Sequence, residues 1–191
     1  MKKNFITKGL LAIFLFISSC LSPSFTRVSD NILKSPSQGY YISNIPFYPQ
    51  KRYYCGPASL ASILNFYGKN FSQDEIAEKV FEPKLTGTLI MDILLFARRN
   101  GFKGEVLQGN SDILKREISL GHPLIVFFNL GFKIHPVYHY AVLVGYDDLM
   151  KVFILYSGTT KNKIISYKDF YKKWGKAGCW VLLILPDGEE K

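Results

Sequence analysis

The chain changes its hydrophobic period near its middle. In CGPASLASILNFYG, Leu60, Ile63, Leu64 and Tyr67 follow helical i, i+3, i+4, i+7 spacing after Cys55, and Gly68 supplies a stop. This spacing predicts a buried helix of about three turns. Ser72-Gln73-Asp74-Glu75 is a capping box, the serine reaching forward and the glutamate back to free N–H groups, so a second helix begins there. A third is expected over 88–100, with Leu89, Ile93 and Phe96 on one side, and a fourth over 111–120. Beyond them the pattern becomes short runs rich in β-branched and aromatic residues: PLIVFFNLG, HYAVLVGYD, KVFILYSG and CWVLLILP. These predict a sheet of at least four strands, with a short helix over 167–174 before the last. N-terminal helices packed on a C-terminal antiparallel sheet make the fold α+β.

The first twenty residues have another character. Lys2, Lys3 and Lys8 precede an apolar run over 9–17 that is too short to span a bilayer as a permanent helix, so the segment is an export signal. Ile17-Ser18-Ser19-Cys20 resembles the bacterial lipobox, which implies cleavage after residue 19 and lipidation of Cys20; an ordinary secretory signal is the alternative. Residues 21–39 are rich in Ser, Pro and Asn and read as a flexible tether. The expected organisation is a signal peptide over 1–19, a lipidated cysteine and tether over 20–40, and one folded domain over 41–187. Acyl chains would then hold the protein on a membrane of the bacterial cell envelope.

Composition adds limits. A chain of 191 residues with 48% hydrophobic content suits a single domain with a full core. Formal net charge is +9, of which the signal contributes three lysines and no acid. The remaining bases are dispersed, clustering only at Lys51-Arg52, at Arg98-Arg99 and over 168–176, so no nucleic-acid partner is expected. The surplus suits solubility and anionic lipid, and a monomer is expected. With Cys20 lipidated, Cys55 and Cys179 remain, either as free thiols or as one disulfide. No ligand spacing indicates a metal site, and no cofactor is expected.

Cys55 stands where a helix begins. Unpaired N–H groups and the positive end of the helix dipole lower a thiol's pKa there, which makes a nucleophile. Pro57 suits the first turn, and Gly56 and Ala58 leave room for a substrate to approach the sulfur. Such a thiol needs a base brought from elsewhere in the chain. His122 and His135 lie in turns beside prolines and read as exposed loop residues. His139 opens an apolar strand, where an unpaired polar group is costly unless it faces a cleft or a partner.

IPFYPQKRYYCGPASLASILNFYG followed by HYAVLVGYD resembles the papain-like cysteine peptidases of the bacteriocin-leader-processing (double-glycine) family, and especially their stand-alone exported relatives. The likeness extends over about 41–186. It implies Cys55 as nucleophile, His139 as general base and later acid, and Gln50 as a side-chain donor to the oxyanion hole. It also implies a peptide or protein substrate.

One feature departs from that family. Its members place an Asp-Pro after the histidine strand to orient the imidazole, whereas this chain has Tyr156-Ser157-Gly158. A hairpin turning around 148–150 sets Ser157 near His139, offering a neutral hydrogen bond. Asn129 is a second candidate, since a hairpin centred near Ile134 would place it beside His139. Asp147 is too far along its strand, about 26 Å away. Three functions follow: a lipid-anchored peptidase cleaving by thiolate acyl transfer, a weak or inactive peptide-binding module of the same fold, and a cell-wall amidase or amide transferase.

Overall fold

The computed structural model describes residues 23–188, so the export segment and Cys20 lie outside the described residues. The tether expectation needs correction over its described part. Phe25–Lys34 forms helix α1, a 3-10 turn follows at Pro36–Gln38, and Gly39–Tyr41 is strand β1. Polar composition suggested a solvated linker, but tertiary packing overrides it. Val28 is fully buried, Phe25 packs on Tyr41 with ring centroids 5.1 Å apart, and the Asn31 amide donates to Asp147 Oδ2 at 2.6 Å. Asp147 is itself fully buried, its other oxygen accepting from the Met150 N–H at 2.9 Å. An Asn31→Leu variant leaves Oδ2 without that donor, and the expected loss of stability is about 1–3 kcal/mol, read as a lower urea midpoint at unchanged m-value.

Helix α2 (Cys55–Phe66) is the centre of the molecule, with every residue from Gly56 to Leu64 buried. Helix α3 (Gln73–Val80) carries the expected capping box, Ser72 Oγ accepting from the Glu75 N–H at 3.2 Å and Glu75 Oε2 from the Ser72 N–H at 2.8 Å. Next come a two-stranded ribbon, β2 (Phe81–Glu82) with β3 (Gly87–Thr88), and helix α4 (Ile90–Arg99); the ribbon takes Thr88 out of the expected third helix. A Cβ on Gly56 would stand 2.9 Å from that of Thr88. Gly56 therefore lets α2 close on β3, instead of clearing space for a substrate.

The second half contains β4 (Phe102–Gln108), α5 (Ser111–Ser119), β5 (Leu124–Asn129), β6 (Tyr138–Asp147), β7 (Val152–Ser157), β8 (Thr160–Ser166), α6 (Tyr167–Gly175) and β9 (Trp180–Pro186). Among the described residues these strands and β1 make one seven-stranded antiparallel sheet, ordered β4-β9-β5-β6-β7-β8 with β1 against the far end of β6. The four expected strands are its middle. Helix α2 packs on β6, while α6 covers β5, where Phe128 meets Phe170 edge-on at 5.2 Å. Strand β1 lies so close to β6 that a Cβ on Gly145 would meet Tyr40 O at 2.7 Å. A register shift between Leu143 and Gly145 bends β6 at that point.

Candidate active site

Cys55 is the first residue of α2. The chain enters through a tight turn in which the Tyr54 N–H donates to Lys51 O at 3.0 Å and Tyr53 holds φ = 67°. That left-handed conformation is rare for a bulky side chain, and local strain of this kind often marks a functional segment. The sulfur lies in reach of three backbone N–H groups, those of Cys55, Gly56 and Tyr140. Tyr140 immediately follows His139 on β6, and its hydroxyl donates to Thr88 O at 3.0 Å, which ties the histidine strand to the ribbon beside α2.

Gln50 is fixed through its backbone and its neighbours. Its N–H donates to Gly158 O at 3.1 Å, while Gln73 at the start of α3 accepts from the Lys51 N–H at 2.9 Å and donates to Pro49 O at 3.0 Å. The segment before Cys55 is thereby clamped between α3 and the β7–β8 turn. Gln50, Cys55, Ala58, Tyr140, Ser157 and Gly158 line one cleft.

His139 is half-buried, with Nε2 2.9 Å from Ser157 Oγ. The serine follows the last β6–β7 pair, Val142 with Tyr156, so its hydroxyl takes the orienting place beside the imidazole. Asn129 does not reach the histidine. It pairs with Tyr138, whereas Phe128 pairs with His139, and adjacent residues of a strand face opposite sides. Its Oδ1 instead accepts from the Gly131 and Val137 N–H groups, closing the β5–β6 loop.

His135 lies in an exposed loop, as expected, but His122 does not. It is buried, with Nδ1 3.0 Å from Glu117 Oε2, and Arg116 reaches Glu117 Oε1 at 2.6 Å. Burial pushes the Glu117 pKa up, yet hydrogen bonds from His122 and Arg116 hold it below the usual carboxylate value. This pair secures the α5–β5 turn. Cys55 and Cys179 are free thiols.

The electrostatics correct the expectation of a ready-made thiolate. Burial raises the Cys55 pKa above its ordinary value, outweighing the N–H groups of Tyr140, Gly56 and Cys55 that lower it. Burial, joined by the positive charge of Lys163, lowers His139 to about 4. At neutral pH the resting pair is thiol and neutral imidazole. Neither Lys163 nor the Tyr140 N–H was found by sequence reasoning; only adjacency to His139 could have pointed to Tyr140.

This depression has a stability consequence. A histidine near 4 when folded and near 6.5 when unfolded binds its proton more tightly in the unfolded chain, so stability falls as pH drops from 6.5 towards 4. The part owed to His139 is on the order of 3 kcal/mol. Urea unfolding of wild type and His139→Gln across that window is expected to show a steeper decline for wild type.

Comparison with known proteins identifies the family and the fold. A profile of the Peptidase C39-like family matches residues 42–181. The peptidase domain of Streptococcus ComA, a bifunctional ABC transporter involved in a quorum-sensing pathway, superposes with a TM-score of 0.62 at 26% identity, covering 75% of this chain and 100% of that one. A double-glycine-motif protease from an AMS/PCAT transporter, solved with its leader peptide, gives 0.62 at 21%, covering 78% and 98%. A C39-like peptidase from Bacillus anthracis gives 0.62 at 17%, covering 80% and 100%. No curated protein matches the chain. The matched profile spans most of the sequence and the α+β fold superposes on the ComA peptidase domain over its full length, so the chain belongs to the Peptidase C39-like family.

Proposed function

We propose that the protein is an exported, lipid-anchored cysteine peptidase that cleaves a peptide bond by acyl transfer through Cys55. The observation that carries this reading is the shared cleft: Gln50, Cys55 and Ser157 line it, and Ser157 holds His139 Nε2 at 2.9 Å. With Nε2 so engaged, Nδ1 is the nitrogen assigned to the thiol proton. As the sulfur forms its bond to the substrate carbonyl, the proton passes to Nδ1, and negative charge gathers on the carbonyl oxygen. The Gln50 amide and the Cys55 N–H stabilise that oxyanion. The C–N bond then breaks, His139 returns the proton to the leaving amine, and water deprotonated by His139 hydrolyses the thioester. A neutral imidazole suits a general base acting during attack, without a preformed ion pair.

The AMS/PCAT relative was solved with a leader peptide, which supports a polypeptide substrate here; cleavage after double glycine is not carried over. Anchoring rests on the signal and Cys20 and would hold the enzyme in the cell envelope, in the periplasm or on the outer face of the membrane. A binding module is the second reading, favoured by the serine standing where relatives place a carboxylate.

Two reagents applied across pH separate these readings. Iodoacetamide is expected to modify Cys55 slowly at neutral pH and faster above about pH 9, because it needs the thiolate. A peptidyl acyloxymethyl ketone is expected to label wild type at pH 6–8 at least about a hundredfold faster than His139→Ala, because its carbonyl recruits the base. Equal labelling of both chains would remove the peptidase reading and leave the binding module.

A further inference from the structure

The β5–β6 loop holds apolar side chains out to solvent. Phe132 is 78% exposed and Ile134 84%, with Leu130, Val137 and Tyr138 also open. The connection is closely bonded: the Leu130 N–H donates to Val137 O at 2.8 Å, the Phe132 N–H to His135 O at 3.1 Å, and Lys176 Nζ to Gly131 O at 3.0 Å. Asn129 Oδ1 closes its base, and a Cβ on Gly131 would stand 2.2 Å from His135 O, so only glycine lets the two sides meet. An ordered loop that presents a large apolar tip marks an interaction site.

Charge and position select the partner. Lys133 sits at the tip, Lys172 and Lys176 are exposed at the end of α6, and no acid occurs in 129–146 or 170–186. The loop ends at Tyr138, next to His139, whereas β1 and α1 meet the opposite end of β6. A strand of that length extends about 30 Å, which sets the loop far from β1 and beside the histidine.

We infer that Phe132 and Ile134 form a docking lip for the substrate polypeptide, gripping an apolar segment flanked by acidic residues outside the scissile bond. This assignment rests on the peptidase reading above and names the chemistry of its substrate.

The test is affinity selection of a proteome-derived peptide library on the full chain carrying Cys55→Ala. Retained peptides are expected to be rich in apolar segments with neighbouring Asp or Glu. Adding Phe132→Ser and Ile134→Ser is expected to reduce their retention by about tenfold or more. Lys133→Glu should remove the acidic bias, and the two serines in a chain with Cys55 intact should leave its alkylation rate and thermal midpoint unchanged. Equal retention with and without the serines, or a retained set without acidic bias, overturns the assignment. Library cleavage by wild type, read in parallel, separates the two ideas. Loop-dependent retention without any cleavage keeps the docking lip and removes the peptidase, while cleavage indifferent to the serines does the reverse. Quenching of an Ile134→Trp chain by brominated phosphatidylglycerol vesicles, beyond that of wild type, would assign the loop to a bilayer and overturn the peptide assignment.

Discussion

Replacing Gln50 with alanine is expected to lower kcat on any peptide the wild type cleaves by about 10²–10³-fold, equivalent to roughly 3–4 kcal/mol of lost oxyanion stabilisation. The size of the effect follows from how the residue is held. An oxyanion donor acts in full only if it need not reorganise during attack, and the Gln50 backbone is bonded to Gly158 while Gln73 clamps Pro49 and Lys51 on either side. The loss should fall on kcat, with KM little changed, because a ground-state carbonyl carries less charge than the tetrahedral oxyanion. Iodoacetamide alkylation of Cys55, which forms no oxyanion, should be unaffected. A drop of under about fivefold, or one confined to KM, would show that Gln50 only lines the cleft.

What could be read from the sequence divides along physical lines. Central strands β5, β6, β7 and β9 are buried apolar runs, and α2 has an apolar stripe, so pattern alone located them. Strands β4 and β8 escaped because they are edges of the sheet: FKGEVLQ and TKNKIIS carry lysines and polar groups that discourage pairing with another chain, and this erases the strand signature. Helix α1 escaped because its packing depends on long-range partners, Tyr41 and Asp147, that its own composition does not announce.

The same division runs through the site. Hairpin spacing brought Ser157 to His139, but Asn129 failed by one residue of register, which is enough to turn a side chain to the other face of a strand. His122 failed because its partner, Glu117, lies on the preceding helix turn and allows both to be buried. For Cys55, sequence reveals the helix end that lowers a thiol pKa, but the depth of burial that outweighs it belongs to the folded surroundings.

Ser157→Asp is the substitution expected to change the chemistry most in the favourable direction. A serine hydroxyl can donate to or accept from Nε2, so it neither fixes the imidazole tautomer nor balances an imidazolium. A carboxylate only accepts. It would hold the Nε2–H tautomer, turn the Nδ1 lone pair into the proton acceptor, and raise the His139 pKa from about 4 by roughly 1–3 units, since an opposite charge at contact favours the protonated ring. Lys163, whose charge now opposes that protonation, would be partly offset by the new carboxylate. Proton uptake during thiol attack becomes easier by the same interaction, and kcat/KM at pH 7 is expected to rise by about tenfold or more. NMR titration of the His139 ring, beside pH–rate profiles of wild type, Ser157→Asp and Ser157→Ala, separates the possible causes. A raised pKa with a faster reaction places imidazolium stabilisation at the limiting step; a raised pKa at unchanged rate shifts the limitation to binding or release. An unchanged pKa would mean that the aspartate does not take the place of the serine beside Nε2.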